Sequence, residues 1–99
     1  MQNSIHRDNR RRALVSKLEL KRLQYKALLN NTSLPREVRK HYREKYNKLP
    51  RNSCSTRIRN RCILTGRGRG VLSFCKLSRI RFRELASQGD IMGVCKVSW

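Results

Sequence analysis

Arginine is the residue whose chemistry dominates this chain. It outnumbers lysine 17 to 8 overall and 9 to 2 beyond residue 50. The planar guanidinium donates two parallel hydrogen bonds to a phosphate and stacks on a base, whereas a lysine ammonium is a compact point charge. Such a surface suits shaped RNA or DNA better than a smooth anionic membrane. The segment from Arg51 to Arg61 holds Arg51, Arg57, Arg59 and Arg61 with a single aliphatic residue, Ile58. The loop Gly66-Arg67-Gly68-Arg69-Gly70 combines backbone free of Cβ atoms, which lets N–H groups approach a phosphate, with Arg67 and Arg69 on the same turn. No Gly-Lys-Ser/Thr follows it, so it is not a nucleotide-binding P-loop. Lys76 lies between this loop and Arg79, Arg81 and Arg83, which stand near the start of an expected helix, where free N–H groups also attract phosphate. Lys96 and the terminal Trp99 complete the candidate nucleic-acid-binding set. Trp99 has two readings, a ring stacked on a base or partner and an anchor in the protein's own small core.

The balance of charge points the same way. The 99 residues carry a formal charge of +19 and a sequence pI near 11.4, and no Asp or Glu occurs between Leu49 and Arg83. Like charges crowded within a Debye length of about 10 Å repel, so this chain expects a polyanionic partner. Catalysis finds little support. Six carboxylates are scattered, and Glu19, Glu37, Glu44 and Glu84 fall on expected helices beside basic residues. No nucleophile–base grouping can be placed with two histidines, and the chain reads as no enzyme, with no small-molecule substrate. Cys54, Cys62, Cys75 and Cys95 show no C-x-x-C spacing, so they read as reduced thiols behaving as small hydrophobes rather than as metal ligands. No cofactor is expected.

No run approaches the ~20 apolar residues of a membrane helix. The first residues lack the apolar centre of a secretory signal and any serine-rich leader, so synthesis in the compartment of use is the expectation. Two competing classes share the charge. A DNA-compacting protein would bind duplex without preferring RNA, and a cationic membrane-active peptide would need a broader apolar helix face than this chain offers.

The elements that must position these arginines read as mainly α, small and extended, within one domain spanning residues 1–99. Residues 1–50 read as a helical hairpin. Its first helix covers about Asn9 to Asn30, with Leu14, Leu18, Tyr25 and Leu28/Leu29 on one side and Leu20, Leu23 and Ala27 widening the stripe. Its second follows Pro35, carries Val38, Tyr42, Tyr46 and Leu49, and ends at Pro50. Residues 51–61 read as an extended basic segment with no core of its own. Residues 62–99 read as a short β-hairpin of Cys62–Thr65 and Val71–Phe74 across the glycine loop, then a helix capped by Ser78 and stopped by Gly89, and a tail.

These residues form ordered motifs: Leu49-Pro50-Arg51-Asn52-Ser53, Arg59-Asn60-Arg61-Cys62, Thr65-Gly66-Arg67, Leu77-Ser78-Arg79-Ile80, Phe82-Arg83-Glu84-Leu85-Ala86 and the closing Ser98-Trp99. Together they resemble the universal small-subunit ribosomal protein S-fourteen family, of the zinc-free type. Ile5-His6-Arg7-Asp8, Leu18-Glu19-Leu20-Lys21-Arg22 and Tyr25-Lys26-Ala27 look most like mitochondrially encoded versions, with plastid or bacterial versions as the alternative. The resemblance implies a structural protein of the small ribosomal subunit that supports its assembly and translation. It further implies binding to the 3′ region of the rRNA in the head, ordering of the fold largely by that rRNA, and neighbours among small-subunit proteins three, ten and nineteen. Some members hold zinc with two C-x-x-C pairs. Here those positions are Cys62, Thr65, Ser78 and Arg81, which excludes zinc, and Gly68 stands where proline is usual.

Overall fold

The computed structural model describes residues 2–99. Helix α1 runs over Gln2–Asn30, α2 over Arg36–Asn47 and α3 over Arg79–Gln88, with single 3-10 turns at Arg51–Ser53 and Ser55–Arg57. The chain divides into two units. One is His6–Ile58; the other is Arg59–Trp99 together with the start of α1 as far as Ile5.

In the first unit the expected hairpin forms, with two differences. Helix α1 begins at Gln2 rather than near Asn9. Residues 2–8 contain no Pro or Gly and one aliphatic residue, Ile5, so apolar periodicity is silent there while nothing stops the helix. Asp8 is buried on this stretch and accepts a hydrogen bond from Arg12 Nε at 2.9 Å, an i,i+4 pair that supports the early turns. The apolar stripe is also narrower than expected. Leu14, Leu18, Tyr25, Leu28 and Leu29 are half-buried, but Leu20, Leu23 and Ala27 face solvent. Asn31 ends α1 by accepting from the backbone N–H and hydroxyl of Ser33. Helix α2 then starts after Pro35 and packs Tyr42 against Tyr25, ring centroids 6.1 Å apart.

The segment after Pro50 is not a plain extended strand. The first of its two 3-10 turns is fastened to α1 through Arg22, and the carbonyl of Arg57 in the second accepts from Arg11. The guanidinium of Arg22 donates to Ser53 Oγ from Nε at 3.1 Å and from Nη2 at 2.9 Å, and to the Pro50 carbonyl at 3.1 Å. Ser53, which is 1% exposed, donates its hydroxyl to the same carbonyl. The Arg22 guanidinium also lies 5.4 Å from the centroid of the Tyr46 ring. Half-burying an aliphatic side chain yields about 1 kcal/mol, given about 1.5–3 kcal/mol for full burial. A hydrogen bond to a charged donor contributes about 1.5–3 kcal/mol. The arginine anchor therefore weighs as much as any single apolar contact in this unit.

The second unit departs from the expected β-hairpin. No strand forms among the described residues, and Val71 and Ser78 make one isolated antiparallel bridge. Each segment instead folds back on itself. Cys62 N–H bonds the Arg67 carbonyl at 2.9 Å and Gly66 N–H bonds the Cys62 carbonyl at 2.8 Å. In the next loop Leu72 N–H bonds Leu77, Lys76 N–H bonds Leu72, and Arg79 N–H bonds Gly70. These local closures consume the groups that a ladder between Cys62–Thr65 and Val71–Phe74 would need. Gly66 adopts φ +71°, a left-handed conformation that favours glycine, and a Cβ there would press on the end of the Ile5 side chain. Helix α3 has the expected ends. Ser78 accepts from Arg81 N–H, and Gly89 at φ 82° closes the C-terminus with Asp90 N–H bonded to the Leu85 carbonyl. Trp99 is fully exposed, which removes its reading as a core anchor. Among the described residues, one apolar side chain is buried, that of Cys62.

Ser53→Ala should lower the unfolding free energy by about 1–2 kcal/mol, because Arg22 Nε is left without its acceptor and Nη2 keeps only the Pro50 carbonyl. Arg22→Ala should cost a similar amount, and the double variant little more than either. Denaturant unfolding of the three variants checks this, and strictly additive losses would contradict the anchor.

Candidate nucleic-acid interface

Three arginines of the expected binding set, Arg57, Arg59 and Arg61, are held by neutral oxygens. In the first unit Arg57 Nη1 donates to Asn52 Oδ1 at 2.6 Å, while the Arg57 carbonyl accepts from Arg11 Nη1 at 3.3 Å. Burial, followed by the charges of Arg51 and Arg11, lowers the pKa of Arg57 from its ordinary value. Guanidinium groups stay protonated regardless, so this shift reports burial first and neighbouring positive charge second. Arg51 is exposed beside it.

In the second unit Arg59, Arg61, Arg67 and Arg69 line one open groove of about 410 Å³ together with Gly68. Arg59 Nε donates to the Gly68 carbonyl, and Arg61 Nη1 donates to the Gly66 carbonyl at 3.1 Å. A carbonyl orients a guanidinium without cancelling its charge, so the groove keeps a concentrated positive field. Lys76 is exposed and holds φ +56°, a left-handed conformation that costs about 1–2 kcal/mol in a residue with a Cβ. Backbone bonds on both sides, to Leu72 and to Ile63 N–H, offset that strain.

Arg79 and Arg83 are exposed on α3. Arg81 differs, since its Nη1 pairs with Glu84 Oε2 at 2.5 Å and part of its charge is satisfied internally. Lys96 and Trp99 are exposed in the tail, outside the groove. The groove thus collects four of the twelve expected residues. Two basic groups outside the expected set also matter. Arg22 is the anchor described above, and Arg36, Arg39, Lys40 and Arg43 line, together with the carboxylates Glu37 and Glu44, a larger groove of about 700 Å³ along α2. The i, i+3, i+4, i+7 spacing of the four basic residues, which puts them on one side of α2, was the available signal.

The Cys62 thiol, next to Arg61 in the chain, is buried. Burial pushes it up, but hydrogen bonds from the Thr65 hydroxyl and from the backbone N–H groups of Ser78, Thr65 and Leu64 outweigh that and bring it down to about 6 from an ordinary 9.0. Cys62, Thr65, Ser78 and Arg81 occupy the four positions that carry zinc ligands in some members of the resembled family. One thiol, two hydroxyls and a guanidinium do not make a tetrahedral zinc site. The Ser78 hydroxyl is further engaged as the cap of α3. No group of three or more His, Cys, Asp or Glu gathers as metal ligands among the described residues. Hydrogen bonds to one sulfur tie the two loops here.

The family profile of ribosomal protein S14p/S29e matches residues 45–98. The small ribosomal subunit protein uS14m of Prototheca wickerhamii is 56% identical over 99 residues, covering all of both chains. The protein of the same name from Marchantia polymorpha is 54% identical, again over all of both chains. Small ribosomal subunit protein uS14 of Caulobacter vibrioides is 47% identical over 97 residues, 98% of this chain and 96% of that one.

The depressed Cys62 pKa has a signed consequence for stability. A thiol that ionises more readily when folded contributes stability that is present above its unfolded pKa and is lost as pH falls through the folded value. Unfolding free energy should therefore fall as pH drops from 9 towards 6. Cys62→Ser should flatten that slope, as read by denaturant midpoints across the pH series.

Proposed function

The chain belongs to the ribosomal protein S14p/S29e family and is a structural constituent of the small ribosomal subunit, and on that premise we propose that its arginines bind rRNA phosphates in the subunit head. It is a structural protein rather than a catalyst, and its ribosome is mitochondrial, like that of its uS14m relatives. No helix among the described residues is long and apolar enough to cross a membrane.

The observation that carries the rRNA reading is the neutral anchoring of the cations. Arg57, Arg59 and Arg61 are oriented by amide or backbone oxygens, in a stretch without Asp or Glu from residue 50 to residue 83. Positive charge fixed in place by neutral oxygens is what a phosphate backbone neutralises, with release of its counterions. The proposed contact set is Arg51, Arg57, Arg59, Arg61, Arg67, Arg69, Lys76, Arg79, Arg81, Arg83 and Lys96, with Trp99 stacking on a base. Recognition would rest on RNA shape, with guanidinium and indole planes meeting unstacked bases. The near absence of a buried apolar core supports a fold completed by the 3′ region of the rRNA. Exposed Ile63, Leu64, Phe74 and Met92 offer apolar surface for protein neighbours, which we assign to small-subunit proteins three, ten and nineteen.

Replacing Arg67 and Arg69 together by alanine should weaken incorporation into the reconstituted subunit. It should also flatten the dependence of log affinity on log salt by about one for each phosphate that is no longer neutralised. Incorporation assays at stepped salt measure both, and incorporation unchanged at raised salt would remove the loop from the interface.

A further inference from the structure

We infer that the groove lined by Arg59, Arg61, Arg67, Gly68 and Arg69 is a preformed seat for one phosphate group, held open by the missing side chain at position 68. This rests on the rRNA reading above and deepens it, by giving one phosphate contact a geometry that exists before RNA arrives.

Three observations converge on the groove. The first is fixed aim. Arg59 is tied to the Gly68 carbonyl and Arg61 to the Gly66 carbonyl, and the loop carrying those carbonyls is closed by the Cys62–Arg67 and Gly66–Cys62 backbone bonds. The guanidinium groups are therefore oriented by backbone that does not depend on a ligand. The second is donor capacity. Each guanidinium has five N–H donors, and the bond of Arg61 to the Gly66 carbonyl engages only its Nη1. The third is space. A Cβ on residue 68 would lie 3.1 Å from Arg61 Nη1 and 3.5 Å from both Arg61 Cζ and Arg59 Cδ. Gly68 does not hold a positive φ, so room for the two guanidinium groups, rather than backbone conformation, is what glycine supplies there.

The chemistry of the occupant follows from the donors. Four guanidinium groups around one opening match a tetrahedral anion with several acceptor oxygens better than a planar carboxylate, which one fork already satisfies. A side chain at position 68 would push the flexible ends of Arg59 and Arg61 aside without straining the main chain. The seat would then disappear while the fold remained.

The test is titration of the full-length protein with inorganic phosphate, following the arginine Nε–H signals by NMR, with acetate as the comparison anion. Phosphate should give saturable shifts centred on Arg59 and Arg61, and acetate should bind at least about tenfold more weakly. Gly68→Val should raise the phosphate Kd by about tenfold or more. Arg61→Lys, which keeps the charge but removes the fork, should weaken phosphate comparably and guards against a folding defect in the valine variant. Arg36→Ala on α2 should leave the Kd within about twofold, since Arg36 is not one of the residues that line the groove. Shifts that never saturate, spread evenly over all arginines, or survive both groove variants would overturn the seat, as would equal binding of acetate. Binding of rRNA measured beside the titration separates the two levels. A failed titration with steeply salt-dependent rRNA binding overturns the seat alone, whereas rRNA binding indifferent to salt overturns the underlying reading as well.

Discussion

The constraint behind this structure is positive charge that the chain does not neutralise for itself. A formal charge of +19 on 99 residues leaves few carboxylates, and among the described residues Asp8 pairs with Arg12 and Glu84 with Arg81 within one helical turn. The other well-placed guanidinium groups are steadied by carbonyls, an amide and a serine hydroxyl. That choice separates orientation from neutralisation. Arg22 shows the structural use of the device, where an arginine fastens Ser53 and Pro50 to α1. Arg59 and Arg61 show the functional use, where the same kind of bond leaves a charged face open.

A thin apolar interior follows from the same composition. Residues that would build a core in a neutral chain of this size are here given over to arginine, and Cys62 is the one buried apolar side chain among the described residues. Polar closures take the place of packing. The thiol of Cys62 gathers N–H groups from Leu64, Thr65 and Ser78, so one sulfur ties the first loop to the start of α3. In relatives with two C-x-x-C pairs a metal would join the same positions. Here hydrogen bonds do so, at lower strength and with a dependence on the ionisation of a single thiol.

Legibility from sequence followed the physics of each signal. Chain-stopping chemistry read well: Pro35 before α2, Ser78 capping α3 and Gly89 in the left-handed C-cap are local effects that one or two residues decide. Apolar periodicity read the centre of α1 but not its start, because residues 2–8 hold too few apolar side chains to show a period. The β-hairpin failed for a related reason. Cys62-Ile63-Leu64-Thr65 is an apolar run without alternation, and nothing in it distinguishes a strand from a tight turn. The arginine set was legible as chemistry. Its division was not, since the convergence of Arg59, Arg61, Arg67 and Arg69 depends on carbonyls at Gly66 and Gly68 that no spacing rule announces. The buried Ser53 in a stretch expected to have no core was equally invisible, because its partner Arg22 lies 31 residues away.

Sucrose-gradient sedimentation of an organelle lysate, followed with and without ribonuclease, tests the central claim most directly. The account predicts that the protein travels with the small ribosomal subunit and is released when the RNA is digested. Sedimentation unchanged by ribonuclease, or migration with DNA or membranes, would contradict it.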